Sequence, residues 1–141
     1  MIAFYGAFHG RSLGSLSLTS SKAKYRSGFG IVTPGSYHAP FAYDGAINGA
    51  EYIEQVLFRH MTEPDDVAAI FVEPIQGEGG YIVPPAGWLQ SLRDLCDEHG
   101  ILLVMDEVRP TPDCTSSITS RMPCRSHRSR KDCSHPSGGT M

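Results

Sequence analysis

Three short stretches of this 141-residue chain hold residue types able to grip a flat, charged small molecule. The first is Gly6-Ala7-Phe8-His9-Gly10-Arg11. Its glycines permit a tight turn close to a ligand. Phe8 offers a face on which a heteroaromatic ring can stack, and His9 a hydrogen-bonding edge. The second runs from Val72 to Gly80, where Glu73 and Glu78 bracket a turn. Two such carboxylates can pair with arginines or serve as acid and base. The third is Met105-Asp106-Glu107-Val108, in which Asp106 follows five consecutive apolar residues. A carboxylate emerging from an apolar strand needs a partner, and a protonated ring nitrogen would supply one. Each stretch also has an ordinary reading: a core Phe beside a surface His, an acidic solvated loop, and a strand-end Asp capping a neighbouring helix.

The elements that must position these residues are legible between 67 and 108. Val67-Ala68-Ala69-Ile70-Phe71-Val72 is a short apolar run suited to a strand buried on both faces. A Gly- and Pro-rich loop from Glu73 to Pro85 follows it. Trp88, Leu89, Leu92, Leu95 and Cys96 then fall on one face of a helix expected near 86–99, and Gly100 stops it. Ile101-Leu102-Leu103-Val104-Met105 reads as a second buried strand. Strand, helix and strand at this spacing predict a parallel crossover, with strands over about 67–72 and 101–106. Ligands of such sheets sit beyond the carboxyl ends of the strands, where Glu73 and Asp106 stand. Met1-Ile2-Ala3-Phe4 reads as the end of another strand. A helix is expected near 49–61, with Tyr52, Ile53, Val56 and Leu57 on one face. Residues 20–48 are rich in Gly, Ser, Pro and Tyr and read mostly as loop. The fold class is α/β, with a mostly parallel sheet and packed helices.

Composition divides the chain. Residues 1–108 carry six Lys/Arg against thirteen Asp/Glu, and residues 109–141 carry six against two. The second part has eleven Ser/Thr and no aromatic residue. Such a segment buries too little surface to offset its ordering entropy, so a disordered or spurious tail is expected. No run approaches the roughly 20 apolar residues that span a bilayer, and no basic-then-apolar leader opens the chain. The expectation is a cytoplasmic protein with no membrane partner.

Taken in order, FYGAFHGRSLGSLSLTSSKAKYRSGFG, VEPIQGEGG and LLVMDEV closely resemble the class III pyridoxal-phosphate aminotransferases, and within them most the 4-aminobutyrate aminotransferases. The resemblance covers residues 1–108 and implies part of the large cofactor-binding domain of the fold-type-I transferases. It implies pyridoxal 5'-phosphate as cofactor, an ω-amino donor and a 2-oxo acid acceptor as small-molecule partners, and a homodimer with the site at its interface. It also implies roles. Phe8 would stack on the pyridine ring with His9 beside it. Asp106 would bind the protonated ring nitrogen, and Val108 would pack on the opposite face. Glu73 would lie near the substrate, facing an arginine from a later segment, and Glu78 would support the substrate pocket. An acetylornithine or ornithine type of activity is the neighbouring alternative.

The pattern breaks after Val108. Arg109-Pro110-Thr111-Pro112 stands where the family has Gln and a Gly-rich stretch, and the family's Ala-Lys-Gly lysine does not occur. No catalytic residue is therefore assigned, and an inactive remnant is the other functional expectation. Lys131, in Ser129-Arg130-Lys131-Asp132-Cys133, lacks a strand-end setting. Cys114, Cys124, His127, Cys133 and His135 match no standard zinc spacing, so no metal is expected. The basic tail raises nucleic-acid binding as a third class, but the expectation is that none is bound. A frameshift accounts for the tail. Codons for Arg130-Lys131-Asp132-Cys133, read one frame over, can encode Ala-Lys-Gly-Leu, the family's lysine motif.

Overall fold

The computed structural model describes residues 1–42 and 48–107 of the chain. Val108 and the 109–141 tail lie outside the described residues, and so do the expectations attached to them.

Four strands form one sheet, all neighbours parallel: β1 (Ile2–Phe4), β2 (Tyr37–Ala39), β3 (Ala69–Val72) and β4 (Leu102–Met105). Their order in the sheet is β2-β1-β3-β4. Between β1 and β2 comes a short helix, α1 (Leu13–Leu18), and a single turn at Ala23–Tyr25. Between β2 and β3 runs a helical stretch made of α2 (Gly49–Tyr52), a wider turn at Ile53–Leu57, and α3 (Phe58–His60). Asn48 caps it by accepting the Ala50 N–H (3.1 Å). The crossover from β3 to β4 is made by α4 (Trp88–His99).

The β3–α4–β4 unit follows the apolar pattern. Trp88, Leu89, Leu92, Leu95 and Cys96 are all buried, as the helix face requires. Gly100 ends α4 in the left-handed region (φ 67°), and the Ile101 N–H returns to the Cys96 carbonyl (2.9 Å). The first β residue is Ala69 rather than Val67, because Pro64–Asp66 forms a tight turn just before it.

The core lies between the sheet and the helices. Phe4, Phe41 and Trp88 meet there, with ring centroids 4.7–6.0 Å apart. Ile2, Ile53, Ile70 and Leu92 are fully buried around them. Gly49 makes room for this cluster. A Cβ there would fall 2.9 Å from the Phe4 ring and 3.0 Å from the Trp88 ring.

One expectation needs refinement and another correction. The described part of residues 20–48 is mostly loop, with the added finding that Tyr37–Ala39 is a strand pairing in register with Ile2–Phe4. Its three-residue length hides any periodicity, and pairing with β1 supplies its stability. The correction concerns β4, expected to be a buried strand. It lies at the sheet edge, with Leu102 51% exposed and Leu103 to Met105 half-buried. Among the described residues no strand pairs with its outer edge.

Candidate cofactor site

Because the sheet is parallel, the ends of β1, β3 and β4 open on one side. Tyr5, Glu73 and Asp106 are the next residues after those strands. The Asp106 N–H donates to the Val72 carbonyl (2.8 Å), so the two carboxylate-bearing residues leave neighbouring strands at the same end.

The loop after β1 is held at successive amides. Gly6 turns in the left-handed region (φ 83°), and the Ala7 N–H donates to the Phe4 carbonyl (3.2 Å). Fully buried Thr19, at the end of α1, accepts the His9 N–H (2.9 Å) and donates its hydroxyl to the Gly10 carbonyl (2.9 Å). Gly10 is itself left-handed (φ 118°), and a Cβ there would lie 2.7 Å from Ser15 Oγ. Gln76, also fully buried, donates to the Tyr5 carbonyl (2.7 Å). Neither Thr19 nor Gln76 was singled out from sequence. The available signals were a polar residue closing the apolar Leu16-Ser17-Leu18 run, and an amide between two turn-forming segments.

These anchors bring His9 onto Asp106. Imidazole Nδ1 lies 2.9 Å from Asp106 Oδ2, with the His9 side chain 4% exposed and that of Asp106 24% exposed. A carboxylate only accepts, so Nδ1 carries the proton and donates. His9 Nε2 is buried with no hydrogen-bond partner. Phe8 is half-buried, and its ring meets Tyr25 edge-on at 5.3 Å. Arg11 lies over the Tyr25 ring at 4.7 Å.

The two glutamates part company. Glu73 is buried, and burial pushes its carboxyl above the usual range. The N–H groups of Gly77 and Phe8 and the nearby His9 pull the other way, while Asp106 adds to the rise. Glu78 is exposed and accepts from Lys22 Nζ (2.7 Å) and the Tyr25 hydroxyl (3.3 Å). The Lys22 ammonium holds the Glu78 carboxyl below the ordinary range. Thus Phe8, His9, Glu73 and Asp106 are brought together, and Glu78 connects to them through Tyr25, which touches Phe8.

A cavity of about 530 Å³ opens beside Asp106. Its walls include His9, Leu18, Phe71, Val104 and Met105. Neither Phe8 nor Glu73 lines it, so it lies on the His9 side of the carboxylate and is not the slot that Phe8 would face. Val104 and Met105 of the half-exposed edge strand form part of its apolar wall, with Leu18 and Phe71. The donor set still fits a cationic heteroaromatic ring: a partly exposed carboxylate, oriented by a buried imidazole, with an aromatic side chain on the adjoining loop.

Comparison with known proteins agrees with this arrangement. The model of the class-III aminotransferases matches residues 1–115. The alanine/serine racemase of Pyrococcus horikoshii is 40% identical over 124 residues, 77% of this chain and 26% of that protein. An amine transaminase from an uncultivated Pseudomonas species, solved with pyridoxal phosphate bound, superposes with a TM-score of 0.68 at 28% identity. That match covers 76% of this chain and 26% of the transaminase. The ornithine aminotransferase of Toxoplasma gondii superposes at 0.60 with 34% identity, covering 76% of this chain and 22% of its own. The chain therefore spans about a quarter of the length of these relatives. Among its described residues no helix is long and apolar enough to cross a membrane. The parallel sheet, the His9–Asp106 pair at its carboxyl edge and the family match over residues 1–115 agree, and the chain belongs to the class III aminotransferases, a family that uses pyridoxal phosphate.

Proposed function

We propose that residues 1–108 carry one part of the pyridoxal-phosphate site of a transaminase that moves an amino group from an ω-amino donor, such as 4-aminobutyrate, to a 2-oxo acid. The observation that carries this reading is the His9–Asp106 hydrogen bond at the carboxyl end of β4. Pyridoxal phosphate, when bound, supplies an electron sink for the substrate carbanion. Asp106 would hold a proton on the ring nitrogen by charge. His9 would keep the carboxylate turned toward the ring, since its own Nδ1 proton is committed to Oδ2. Phe8 would offer the stacking face, and Val108 the opposite one. Glu73 and Glu78 would border the substrate side. Assembly as a cytoplasmic homodimer belongs to the same reading.

The lysine that would attach the cofactor and move the proton is not among the family-like stretches of this chain. The chain by itself is therefore proposed to be inactive, with its tail the product of a frameshift. Sequencing the coding DNA across codons 107–141 tests the frameshift. A one- or two-base correction should open a frame through Ala-Lys-Gly. A frame that stays closed under either correction overturns it.

A second reading has its own support. The 40% identical relative is an alanine/serine racemase. Racemisation and transamination both begin with loss of the Cα proton and differ in where a proton returns. In a frame-corrected protein, chiral analysis of recovered alanine separates them. Inverted alanine without 2-oxo acid consumption favours the racemase, and stoichiometric 2-oxo acid consumption favours the transaminase.

A further inference from the structure

We propose that Glu73 is a positioning residue, a carboxylate clamp that ties the loop after β1 to the loop after β3 and thereby sets Phe8; the proposal rests on the reading of Phe8 as the stacking face. One oxygen, Oε2, accepts the Phe8 N–H (3.3 Å) from a loop 65 residues away in sequence. The other, Oε1, accepts the Gly77 N–H (3.3 Å) four residues on. The flanking amides of Phe8 are used on their own side of the sheet, Ala7 by the Phe4 carbonyl and His9 by Thr19 Oγ1. Of these three consecutive amides, the Phe8 N–H is the one that reaches across to β3. The ring that follows from it then meets Tyr25.

The side-chain type matters. Two backbone N–H groups arriving at two oxygens need a group that only accepts, which a carboxylate does. A glutamine in the same rotamer would present an NH2 group to one of those N–H donors. An aspartate is one methylene shorter and would not span both loops. The clamp stands at a cost, since the buried carboxyl is pushed above its usual range chiefly by desolvation. The charged or titratable groups facing it are His9 and Asp106, which are bonded to each other. With both oxygens engaged by backbone, Glu73 serves the aromatic face before any substrate group. This differs from the substrate-facing role that the family resemblance implies.

Amide hydrogen exchange of the 141-residue chain tests the clamp. In Glu73→Gln at least one of the Phe8 and Gly77 amides should exchange about tenfold faster, because the amide side chain keeps a single, uncharged acceptor oxygen for two N–H donors. The Asp106 amide, bound to the Val72 carbonyl, should keep its protection and so report an intact sheet. Unchanged exchange at Phe8 and Gly77 with that sheet intact overturns the proposal. Should the variant lose Asp106 protection, a pH titration of the unaltered chain decides. The Glu73 carboxyl carbon and the Phe8 and Gly77 amide nitrogens should titrate with one shared midpoint above the ordinary carboxylate value. Amides that do not follow Glu73 overturn it. Neither measurement involves cofactor, so the clamp can fail while the cofactor reading stands, and the reverse.

Discussion

The hydrogen bond from His9 helps to orient the Asp106 carboxylate at the end of β4. His9→Ala removes the donor and empties a buried site. We expect a loss of about 1–3 kcal/mol in the urea unfolding free energy, by lost hydrogen bond and cavity together. An unchanged midpoint would mean that the pair contributes nothing to the fold. Glu73 makes a pH-dependent contribution of opposite sense to a salt-bridged acid. Its folded-state affinity for a proton is raised, so its contribution to stability is fully present at and below the ordinary carboxylate value and is lost as pH rises through the folded one. Comparing unfolding free energy against pH for the chain and for Glu73→Gln should show this component vanish in the variant. The site residues were legible from type and context: an aromatic-His pair between glycines and an acidic residue closing an apolar run. Their partners were not. That Thr19 receives the His9 N–H, or that Glu73 receives that of Phe8, depends on chain separations of 10 and 65 residues that no local pattern encodes.

Elements with a full periodic pattern were the readable ones. The α4 face was visible because five apolar residues recur at helical spacing, and the strands on either side because each is a short apolar run between turn signals. The three-residue β2 and six-residue α1 carry too few residues for a pattern, and their formation rests on pairing and packing with β1. The edge position of β4 was invisible for another reason. An apolar strand reads as central whether or not a neighbour covers it. Close packing of the α2 start on the core predicts that Gly49→Ala is destabilising despite the better helix propensity of alanine. Its Cβ would press on Phe4, Trp88 and the Pro40 carbonyl, at a cost of about 1–3 kcal/mol by overpacking. A thermal melt measures it, and a raised Tm would contradict the packing described for that corner.

At the scale of the molecule, the chain holds a quarter of the length of its relatives and, among its described residues, a half-exposed apolar edge strand. Such an edge invites pairing with other chains. Leu102→Lys should lower self-association in light scattering, and scattering unchanged by the substitution would locate the sticky surface elsewhere. The 141-residue chain should also fail to transaminate. Phe8 and Asp106 alone supply a ring contact and one charged hydrogen bond, roughly 2–4 kcal/mol together, weaker than millimolar binding. The central claim is that this segment supplies the ring-nitrogen side of a transaminase site through Asp106. Grafting residues 1–108 in place of the matching segment of a full-length class III transaminase, with and without Asp106→Ala, tests it most directly by steady-state turnover. The account predicts that the graft transaminates and that Asp106→Ala lowers kcat by several orders of magnitude while the graft remains folded. A folded, cofactor-loaded graft whose turnover is indifferent to Asp106→Ala would contradict it.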